Sequence, residues 1–421
     1  MLRERRGSVS RRNLNARTTK GCADCDSVPE LPVWEPAYPV RILIVYDCLF
    51  PHTIGGAERW YRNLAERLAA DGHEVTYATL RQWERHERPS VEGVRVVVAG
   101  PRMALYADAR RRVAPPLVFG AGMLWHLLRH GRRYDVVHTA SFPYFSLLAA
   151  GLLRRLHGYR LVVDYHELWS REYWREYLGP VGGRIGWLVQ LGGVRLRQAA
   201  FCFAQLTARR LREAGLRGPV TVLEGEYAGA LEPAPPRSAQ PTVLFAGRHI
   251  PEKRVPALVR AFAALRERAP ELRLVVYGDG PEREKVLRLI AAEGLQDVAR
   301  APGFVDAQEI EHALDEALCM VLPSRREGYG LVVVEASARG VPAVVVAAPD
   351  NAATELVEEG ENGFIAASAE PADIAEAILR VRDAGPELRD RTAAWFARNA
   401  RRLSLEHSLQ RVVEAYDHAA D

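Results

Sequence analysis

Short apolar runs alternate with helical segments along most of this chain, and this alternation limits the folds that it can adopt. The first run, RILIVY (41–46), has the length and composition of a buried strand. Later runs, with helical segments between several of them, are EVTYATL, VRVVVA, YDVVH, RLVVDY, AFCFA and VTVL. Such alternation predicts βαβ units, and therefore an α/β fold built on mainly parallel sheets.

A proline-rich segment divides the alternation into two series. We predict that EPAPPRSAQP (232–241) is a linker, because its prolines interrupt the strand–helix pattern. The pattern restarts with TVLFAGR (242–248) and continues through LRLVVYG, LCMVLP and PAVVVAA. Two α/β halves joined by one hinge are therefore expected, with ligands at the carboxyl ends of the strands, facing the cleft between the halves.

Composition excludes several other classes of protein. A chain of 421 residues is long for one hydrophobic core, and 48% hydrophobic and 26% charged residues are typical of a globular protein. The net charge of +4 does not indicate a nucleic-acid partner, although it suits an anionic ligand or a membrane surface.

Residues 1–38 are predicted to be a disordered basic and proline-rich tail. The C-x-x-C of Cys22 and Cys25 has no second pair, so a solvated tail is favoured over a metal or redox site.

Two strand ends in the second half carry residues suited to a charged ligand. Arg248 ends the strand in TVLFAGR, and Lys253 follows five residues later near the next helix. Two cations beside a helix N-terminus can neutralise a departing diphosphate, although a solvated basic loop is the alternative. At the next strand end, YGDGPEREK (277–285), Gly278 could let the backbone approach a ligand, or it could serve an ordinary turn.

A third strand end, SRREGYGLVVVEASARGVP (324–342), places two glutamates around a glycine turn. Glu327 is predicted to point into the cleft. Glu335 is predicted to accept hydrogen bonds from a ribose diol, because an unpaired charge is costly in an apolar stretch; an exposed acid favoured by the helix dipole is the alternative. The backbone groups expected to contact sugar and phosphate belong to Gly328, Tyr329, Gly330 and Leu331.

The segment PSRREGYGLVVVEA resembles the retaining glycosyltransferases of family 4, which have the two-domain GT-B fold. The resemblance covers roughly residues 41–415 and includes FAGRHIPEKR, YGDGPER, APGFV and ELVEEGENGFIA in the expected order. It implies two Rossmann-like domains across a deep cleft, an acceptor-side domain at 39–231 and a nucleotide-sugar domain at 242–405. A C-terminal helix over 406–421 is expected to pack back on the body.

The resemblance also implies a role for each candidate residue. Arg248 and Lys253 would hold the donor diphosphate, Glu327 would contact the transferred sugar, and Glu335 would bind the ribose. The region expected to bind the base contains Gly278, Phe304 and Val305.

In the first half, GGAE (55–58) looks like the family's glycine loop, so Gly55 and Gly56 would lie near phosphate and acceptor. His166, in VVDYHELW, matches the family's histidine beside the transferred sugar, although a histidine satisfied within the core is an equal alternative. LEGEYAG (223–229) and APDNAATE (348–355) depart from the family pattern, which leaves the donor sugar and the acceptor open.

The expected activity is transfer of a hexose-type sugar from a UDP- or GDP-linked donor to a glycan, lipid-linked or small-molecule acceptor. The resemblance implies a retaining, front-face mechanism without a cofactor, and the lack of a D-x-D cluster in a metal-binding context fits metal independence. In it the departing phosphate takes the acceptor proton, and Glu327 orients the sugar without acting as a covalent nucleophile.

Other functions remain open at this stage. A sugar-nucleotide epimerase of the same fold and a non-catalytic sugar-nucleotide-binding partner protein are the main alternatives. A dinucleotide-dependent oxidoreductase ranks last, because no G-x-G-x-x-G follows RILIVY.

We expect a cytoplasmic protein, with peripheral contact at the inner face of the membrane as a hypothesis. Segments 109–133 and 169–190 mix Trp or Tyr with Arg as an interfacial helix does, although core-packing helices with basic exposed faces explain them equally well.

Overall fold

The computed structural model describes residues 39–53, 55–87, 89–107, 110–234 and 239–417. The predicted tail at 1–38, with its C-x-x-C, and residues 235–238 of the predicted linker lie outside this part of the chain. The described residues belong to one compact unit, in which each half of the chain is built around its own sheet.

Seven parallel strands form the sheet of the first half, and most of their side chains are buried because helices cover both faces. The strands of the first half are β1 (Arg41–Val45), β2 (Glu74–Thr79), β3 (Val94–Val98), β4 (Tyr106–Ala107), β5 (Arg110–Arg111), β6 (Val136–Ala140), β7 (Arg160–Tyr165), β8 (Ala199–Cys202) and β9 (Val220–Val222). The order across the sheet is β3-β2-β1-β6-β7-β8-β9, while β4 and β5 form a separate antiparallel pair.

Five helices connect these strands. They are α1 (Gly56–Ala70), α2 (Ala114–His130), α3 (Tyr144–His157), α4 (Arg171–Val194) and α5 (Gln205–Glu213), and a 3-10 turn follows α2 at Gly131–Arg133. In α1, Trp60, Tyr61, Leu64 and Leu68 recur at helical spacing and are all buried against the sheet. The non-helical backbone of Gly179, followed by Pro180, kinks α4.

Six parallel strands form the sheet of the second half. The strands are β10 (Thr242–Ala246), β11 (Arg273–Tyr277), β12 (Ala299–Gly303), β13 (Cys319–Leu322), β14 (Arg326–Glu327), β15 (Ala343–Val346), β16 (Asp350–Asn351) and β17 (Gly363–Ala366). The order across the sheet is β12-β11-β10-β13-β15-β17, and the short strands β14 and β16 pair with each other beside it. A six-stranded parallel sheet built around a central first strand is the arrangement of a Rossmann-like domain.

Seven helices and two 3-10 turns belong to the second half of the described chain. The helices are α6 (Val255–Leu265), α7 (Arg283–Ala292), α8 (Ala307–Glu316), α9 (Leu331–Ser337), α10 (Pro371–Ala384), α11 (Pro386–Leu403) and α12 (Leu405–Asp417), and the turns are Pro251–Lys253 and Ala352–Leu356. The last helix, α12, packs on the first half, where the Tyr416 hydroxyl is hydrogen-bonded to His138. None of the helices in the described ranges combines the length and the apolar composition that crossing a bilayer requires.

The strand order of each sheet indicates where a ligand-binding crevice is expected. In the first sheet the chain changes direction between β1 and β6, and in the second between β10 and β13. Ligands of open parallel sheets bind outside the carboxyl ends of the strands at such a point. The α/β prediction of two Rossmann-like domains is confirmed.

Side chains of the two halves meet directly. The Tyr173 hydroxyl of α4 donates a hydrogen bond to Glu252 Oε1 at 2.6 Å, next to Lys253. The two outer nitrogens of Arg325 donate to the two carboxylate oxygens of Glu176 at 3.0 and 2.9 Å. These contacts hold the first half against the carboxyl ends of β10 and β13.

Candidate active site

An ion pair between two loops of the second half lies at the centre of the candidate site. Lys253 Nζ donates a hydrogen bond to Glu327 Oε1 at 2.5 Å, and both side chains are largely buried. β14 aligns Glu327 with Asn351, whose side-chain amide donates to the carbonyl oxygen of Ser324 at 3.2 Å. The strand pairing and this hydrogen bond fix the loop that carries the carboxylate, so the orientation of Glu327 is set before any ligand arrives.

Gly328 brings the first half to this ion pair. A Cβ atom at Gly328 would lie 2.3 Å from the carbonyl oxygen of His166 and 2.7 Å from Cγ of Glu167. Only glycine fits such an approach, because the nearest atom belongs to the backbone of the other half. Residues 166 and 328 are thus adjacent, and the predicted catalytic residues Glu327 and His166 belong to one site.

Aromatic rings surround the imidazole of His166. It is stacked on Phe203, with ring centroids 5.1 Å apart and planes inclined by 8°, and it meets the edge of Tyr61. Its Nδ1 lies 3.7 Å from Oε1 of Glu226. Burial alone would lower the pKa of His166, but the Glu226 carboxylate and then Asp164 outweigh burial, and the pKa of His166 is raised.

A buried hydrogen-bond network lies behind His166. The Asp164 carboxylate accepts from Trp60 Nε1 and bonds to His138 Nε2, both at 2.7 Å, and the other ring nitrogen of His138 meets the Tyr416 hydroxyl. Both ring nitrogens of His138 thus have a partner, Nε2 in Asp164 and Nδ1 in Tyr416. Burial would raise the pKa of Asp164, but His138 outweighs it and the pKa of Asp164 is lowered.

The glycine turn after Glu327 leads directly into α9. Gly330 has φ 105°, a conformation that favours glycine, and it precedes Leu331, the first residue of the helix. The Tyr329 hydroxyl donates to the carbonyl oxygen of Glu224 in the first half at 2.7 Å. The turn is therefore held by a further contact between the halves.

Glu335 lies in the second turn of α9 and is partly buried. Burial raises its pKa, while Arg339 and then Arg59 of α1 act in the opposite direction. Among the described residues, no side chain or amide donates a hydrogen bond to its carboxylate. The carboxylate therefore has acceptor oxygens available to a ligand, and its role in ribose binding stays a prediction.

The other predicted donor residues lie at the carboxyl ends of β10, β11 and β12. Arg248 is exposed and has no ion pair with any residue in the described ranges. Gly278 has φ 112°, and a Cβ atom there would lie 1.9 Å from the carbonyl oxygen of Gly247, so the loops after β10 and β11 touch. Phe304 is 80% exposed immediately after β12, while Val305 is partly buried. One edge of the sheet thus carries all four predicted residues.

At the end of β1, the structure adds a pair that the sequence analysis did not single out. Gly55 immediately precedes α1 and Gly56 is its first residue, and the fully buried Asp47 of the loop after β1 forms an ion pair with Arg111 of β5. Among the described residues, Asp47 Oδ1 and Arg111 Nε are buried and have no hydrogen-bond partner, so each could still bind a ligand. Asp47 directly follows the strand segment RILIVY, and this position in the sequence could have identified it as a candidate site residue.

The two segments that depart from the family pattern both contribute to this region. LEGEYAG supplies Glu226, beside His166. APDNAATE supplies Asn351, which fixes the Glu327 loop, and Glu355, whose carboxylate accepts from the backbone N–H groups of Gln205 and Leu206 at 2.7 Å each. Glu355 therefore caps the N-terminus of α5 in the other half. Both segments thus lie within the confirmed α/β fold of two Rossmann-like domains.

Comparisons with known proteins agree with this architecture. The family model "Glycosyltransferase Family 4" matches residues 54–225, and the family model "Glycosyl transferases group 1" matches residues 232–401. The chain is a GT-B glycosyltransferase of the group 1 type. The two matches meet near the predicted linker, so each family model describes one half of this glycosyltransferase.

The names of curated relatives of the glycosyltransferase mention different substrates. It is 29% identical over 406 residues to a D-inositol 3-phosphate glycosyltransferase of Thermomonospora curvata, a match that covers 87% of this chain and 91% of the relative. It is 35% identical over 154 residues to an alpha-D-kanosaminyltransferase of Streptomyces kanamyceticus. That second match covers 37% of this chain and 39% of the relative's length.

Solved structures share the fold of the glycosyltransferase. Sucrose-phosphate synthase of Thermosynechococcus elongatus superposes with a TM-score of 0.71 at 19% identity, covering 91% of this chain and 100% of that one. The Anabaena protein Alr3699/HepE, in complex with UDP, gives a TM-score of 0.68 at 19% identity, with 90% and 100% covered. The predicted GT-B fold is confirmed.

A cavity of about 490 Å³ lies beside the site, between the two halves of the glycosyltransferase. Its polar lining includes Tyr173, Glu176, Arg254, Arg325 and Asp350. Across the described ranges, no three His, Cys, Asp or Glu side chains are grouped closely enough to hold a metal ion.

Proposed function

We propose that this glycosyltransferase transfers a hexose-type sugar from a nucleoside-diphosphate sugar to an acceptor hydroxyl and retains the anomeric configuration. The observation that carries the proposal is the Lys253–Glu327 ion pair, 2.5 Å between charged atoms, beside the glycine that touches His166. A cation for the leaving group and a carboxylate for the sugar thus stand together where the two halves meet.

The donor would lie along the carboxyl ends of the second sheet. Arg248 and Lys253 would neutralise the diphosphate, and the acceptor oxygens of Glu335 would bind the ribose diol. The loop ends at Gly278, Phe304 and Val305 would contact the base. The HepE structures in complex with UDP and with UDP-glucose support a nucleotide-sugar donor, UDP- or GDP-linked, for the present chain.

The transfer step proposed is a front-face reaction. The bond between the sugar C1 and the diphosphate oxygen breaks, that oxygen takes the proton of the acceptor hydroxyl, and the acceptor oxygen bonds to C1 on the same face. Negative charge develops on the diphosphate, where Lys253 and Arg248 stabilise it without a metal ion. Glu327 orients the sugar and stabilises the positive charge that develops at C1, with His166 beside the same sugar.

The acceptor would bind on the first half, near Gly55 and Gly56. Within the described ranges, the buried Asp47–Arg111 pair has one acceptor oxygen and one donor N–H without a partner, a combination that suits a hydroxyl-bearing acceptor. A glycan, a lipid-linked sugar and a small-molecule alcohol all present such hydroxyls. Among the relatives, one name gives a transferred sugar, kanosamine, and another gives an acceptor, D-inositol 3-phosphate.

A donor screen tests the proposal. We expect slow hydrolysis of one UDP- or GDP-sugar, and nucleotide release that rises when the correct acceptor is added. NMR of the product should show the donor's anomeric configuration, and chelating agents should leave the rate unchanged. Isomerisation of the sugar nucleotide without an acceptor would instead indicate an epimerase, and a glycosyl adduct trapped on Glu327 would contradict the front-face step.

A further inference from the structure

Exposed apolar side chains are concentrated on three neighbouring helices of the first half. The apolar face, as we name this group, consists of Leu117, Trp125 and Leu128 of α2, Leu152 and Leu156 of α3, and Val181, Ile185 and Leu188 of α4. Leu152 is 71% exposed and Trp125 is 60% exposed. In the described part of the second half, 239–417, Phe304 alone is a large hydrophobic side chain with comparable exposure. The apolar face is therefore a local feature and not a general property of the surface.

Helix α2 presents its apolar residues outward. Its exposed positions are Ala114, Leu117, Ala121, Trp125, Leu128 and Arg129. The first five recur every three or four residues, so they share one side of the helix. The inward side is fixed by two glycines: a Cβ atom at Gly120 would lie 2.4 Å from Cβ of Phe145 in α3, and one at Gly122 would lie 1.6 Å from the Ala99 carbonyl oxygen. A helix packed on a protein core normally exposes polar residues at such positions.

The apolar face continues across α3 to α4. Leu148 of α3 lies 3.7 Å from the position of a Cβ atom at Gly192 of α4, so the two helices pack together. Leu152 and Leu156 follow Leu148 by one and two helical turns. On α4, Val181, Ile185 and Leu188 again share one side, and Gly192 continues it. The three helices thus form one layer with a common apolar surface.

Arginines accompany the apolar face. Residues 110–160, which include α2 and α3, contain nine arginines and one acidic residue. That acid, Asp135, is already paired with Arg41, with 2.6 Å between charged atoms. Arg129 lies over the ring of Trp125, and Arg171 lies over the ring of Trp187 in α4. Arginine beside exposed Trp and Leu is the composition of a helix at a membrane interface.

We propose that the apolar face docks this protein on an anionic bilayer surface. The side chains of Leu, Ile, Val and Trp would enter the boundary between headgroups and acyl chains, and the arginines would contact lipid phosphates. A second copy of the chain is a poorer partner for this face, because it would oppose one set of exposed arginines, such as Arg129 and Arg155, with another. The helices would lie on the membrane, consistent with the finding that no described helix could cross it.

Vesicle flotation tests the proposal with the full chain. The wild type should float with vesicles of phosphatidylcholine and phosphatidylglycerol, and much less with phosphatidylcholine alone or in high salt. The double variant Trp125→Glu/Ile185→Glu should lose at least roughly tenfold in partition, because two inserted side chains are replaced by charges. Leu231→Glu is the matched control, since Leu231 is 45% exposed in a loop outside the three helices and should leave flotation unchanged.

Three flotation results would overturn the proposal: no flotation of the wild type with anionic vesicles, equal flotation of the double variant and the wild type, or equal losses in the double variant and the control. Thermal unfolding of each variant verifies that it is folded. If the double variant does not fold, the single variant Leu152→Gln in α3 is tested in its place and judged by the same results. Sedimentation equilibrium without lipid measures whether the protein forms a dimer, in which a second copy of the chain would cover the apolar face. A wild-type dimer that the double variant abolishes would assign this face to self-association and also reject the proposal.

Discussion

Lys253 and Glu327 come from different loops and share a hydrogen bond at the proposed centre of the reaction. A lysine ammonium has three donors, so Lys253 can keep its bond to Glu327 and still bind a phosphate oxygen. The sequence predicts one task for each residue, whereas the structure makes the two tasks interdependent. Charge at the leaving group and charge at the sugar would then be stabilised by the same pair.

Replacing Glu327 with glutamine should lower kcat by about 100-fold, because a neutral amide of the same shape cannot stabilise developing positive charge. The KM for the donor should change little, since the diphosphate and ribose contacts are kept. Steady-state kinetics with the preferred nucleotide sugar measures both values. Glu376→Gln is the control, because Glu376 forms an exposed ion pair with Arg268, 3.0 Å between charged atoms, and should not affect kcat. Wild-type kcat in Glu327→Gln would contradict the assignment.

Glu226→Gln should lower the pKa of His166, because the carboxylate that outweighs burial is removed. In the wild type the raised pKa means that the ion pair contributes stability below the ordinary histidine value of about 6.5. That contribution is lost as the pH rises through the raised pKa. In Glu226→Gln the loss of stability over this range should be smaller.

NMR titration of the His166 ring protons and urea unfolding at several pH values test this prediction. The control is Glu359→Gln, which removes a carboxylate from an exposed ion pair with Arg380 and should leave the titration of His166 unchanged. A pKa of His166 that is the same in Glu226→Gln and in the wild type would show that Glu226 does not control it.

At the level of elements, α12 joins the last residues of the described chain to the core of the first half. Its Tyr416 hydroxyl bonds to His138, which bonds to Asp164, two residues before His166. The histidine of the candidate site is thus connected to the C-terminal helix through a buried polar network. A helix of 13 residues would be marginal by itself, so its docking depends on such contacts and on its buried apolar side.

Tyr416→Phe should reduce the free energy of unfolding by about 1–3 kcal/mol, because it leaves the fully buried His138 with an unsatisfied ring nitrogen. Urea denaturation measures the change. Tyr106→Phe is the control, because the Tyr106 side chain is about half exposed and the change should stay within about 0.5 kcal/mol. Equal stability of the Tyr416→Phe protein and the wild type would show that the hydroxyl contributes nothing to docking of α12.

At the level of the whole molecule, the backbones of the two halves approach each other closely where Gly328 meets His166. Gly328→Ala should lower kcat/KM by about 100-fold, because the new Cβ atom would lie 2.3 Å from a backbone oxygen and force the halves apart. Kinetics, with small-angle scattering to detect a more open molecule, would check this outcome. Gly192→Ala is the control, since its nearest neighbour, Cδ2 of Leu148, is at an ordinary distance of 3.7 Å. Unchanged activity in Gly328→Ala would mean that this approach is not needed for the reaction.

Much of the architecture follows from local sequence patterns. RILIVY contains the strand Arg41–Val45, TVLFAGR contains Thr242–Ala246, and a helix begins within GGAE, at Gly56. These elements depend on the spacing of apolar residues over short distances, which is visible in one sequence. For the same reason, residues at strand ends such as Arg248, Glu327 and His166 could be assigned to the cleft.

The sequence alone therefore determined the two α/β halves and the strand ends that carry the candidate site. The tertiary structure decided which side chains meet: Lys253 with Glu327 across 74 positions, and His138 with Tyr416 across 278. It also decided that Glu226 lies beside His166 and that three separate helices share one apolar face. The physical reason is that periodicity and strand ends are short-range properties of the chain, whereas these contacts arise only when distant segments pack together.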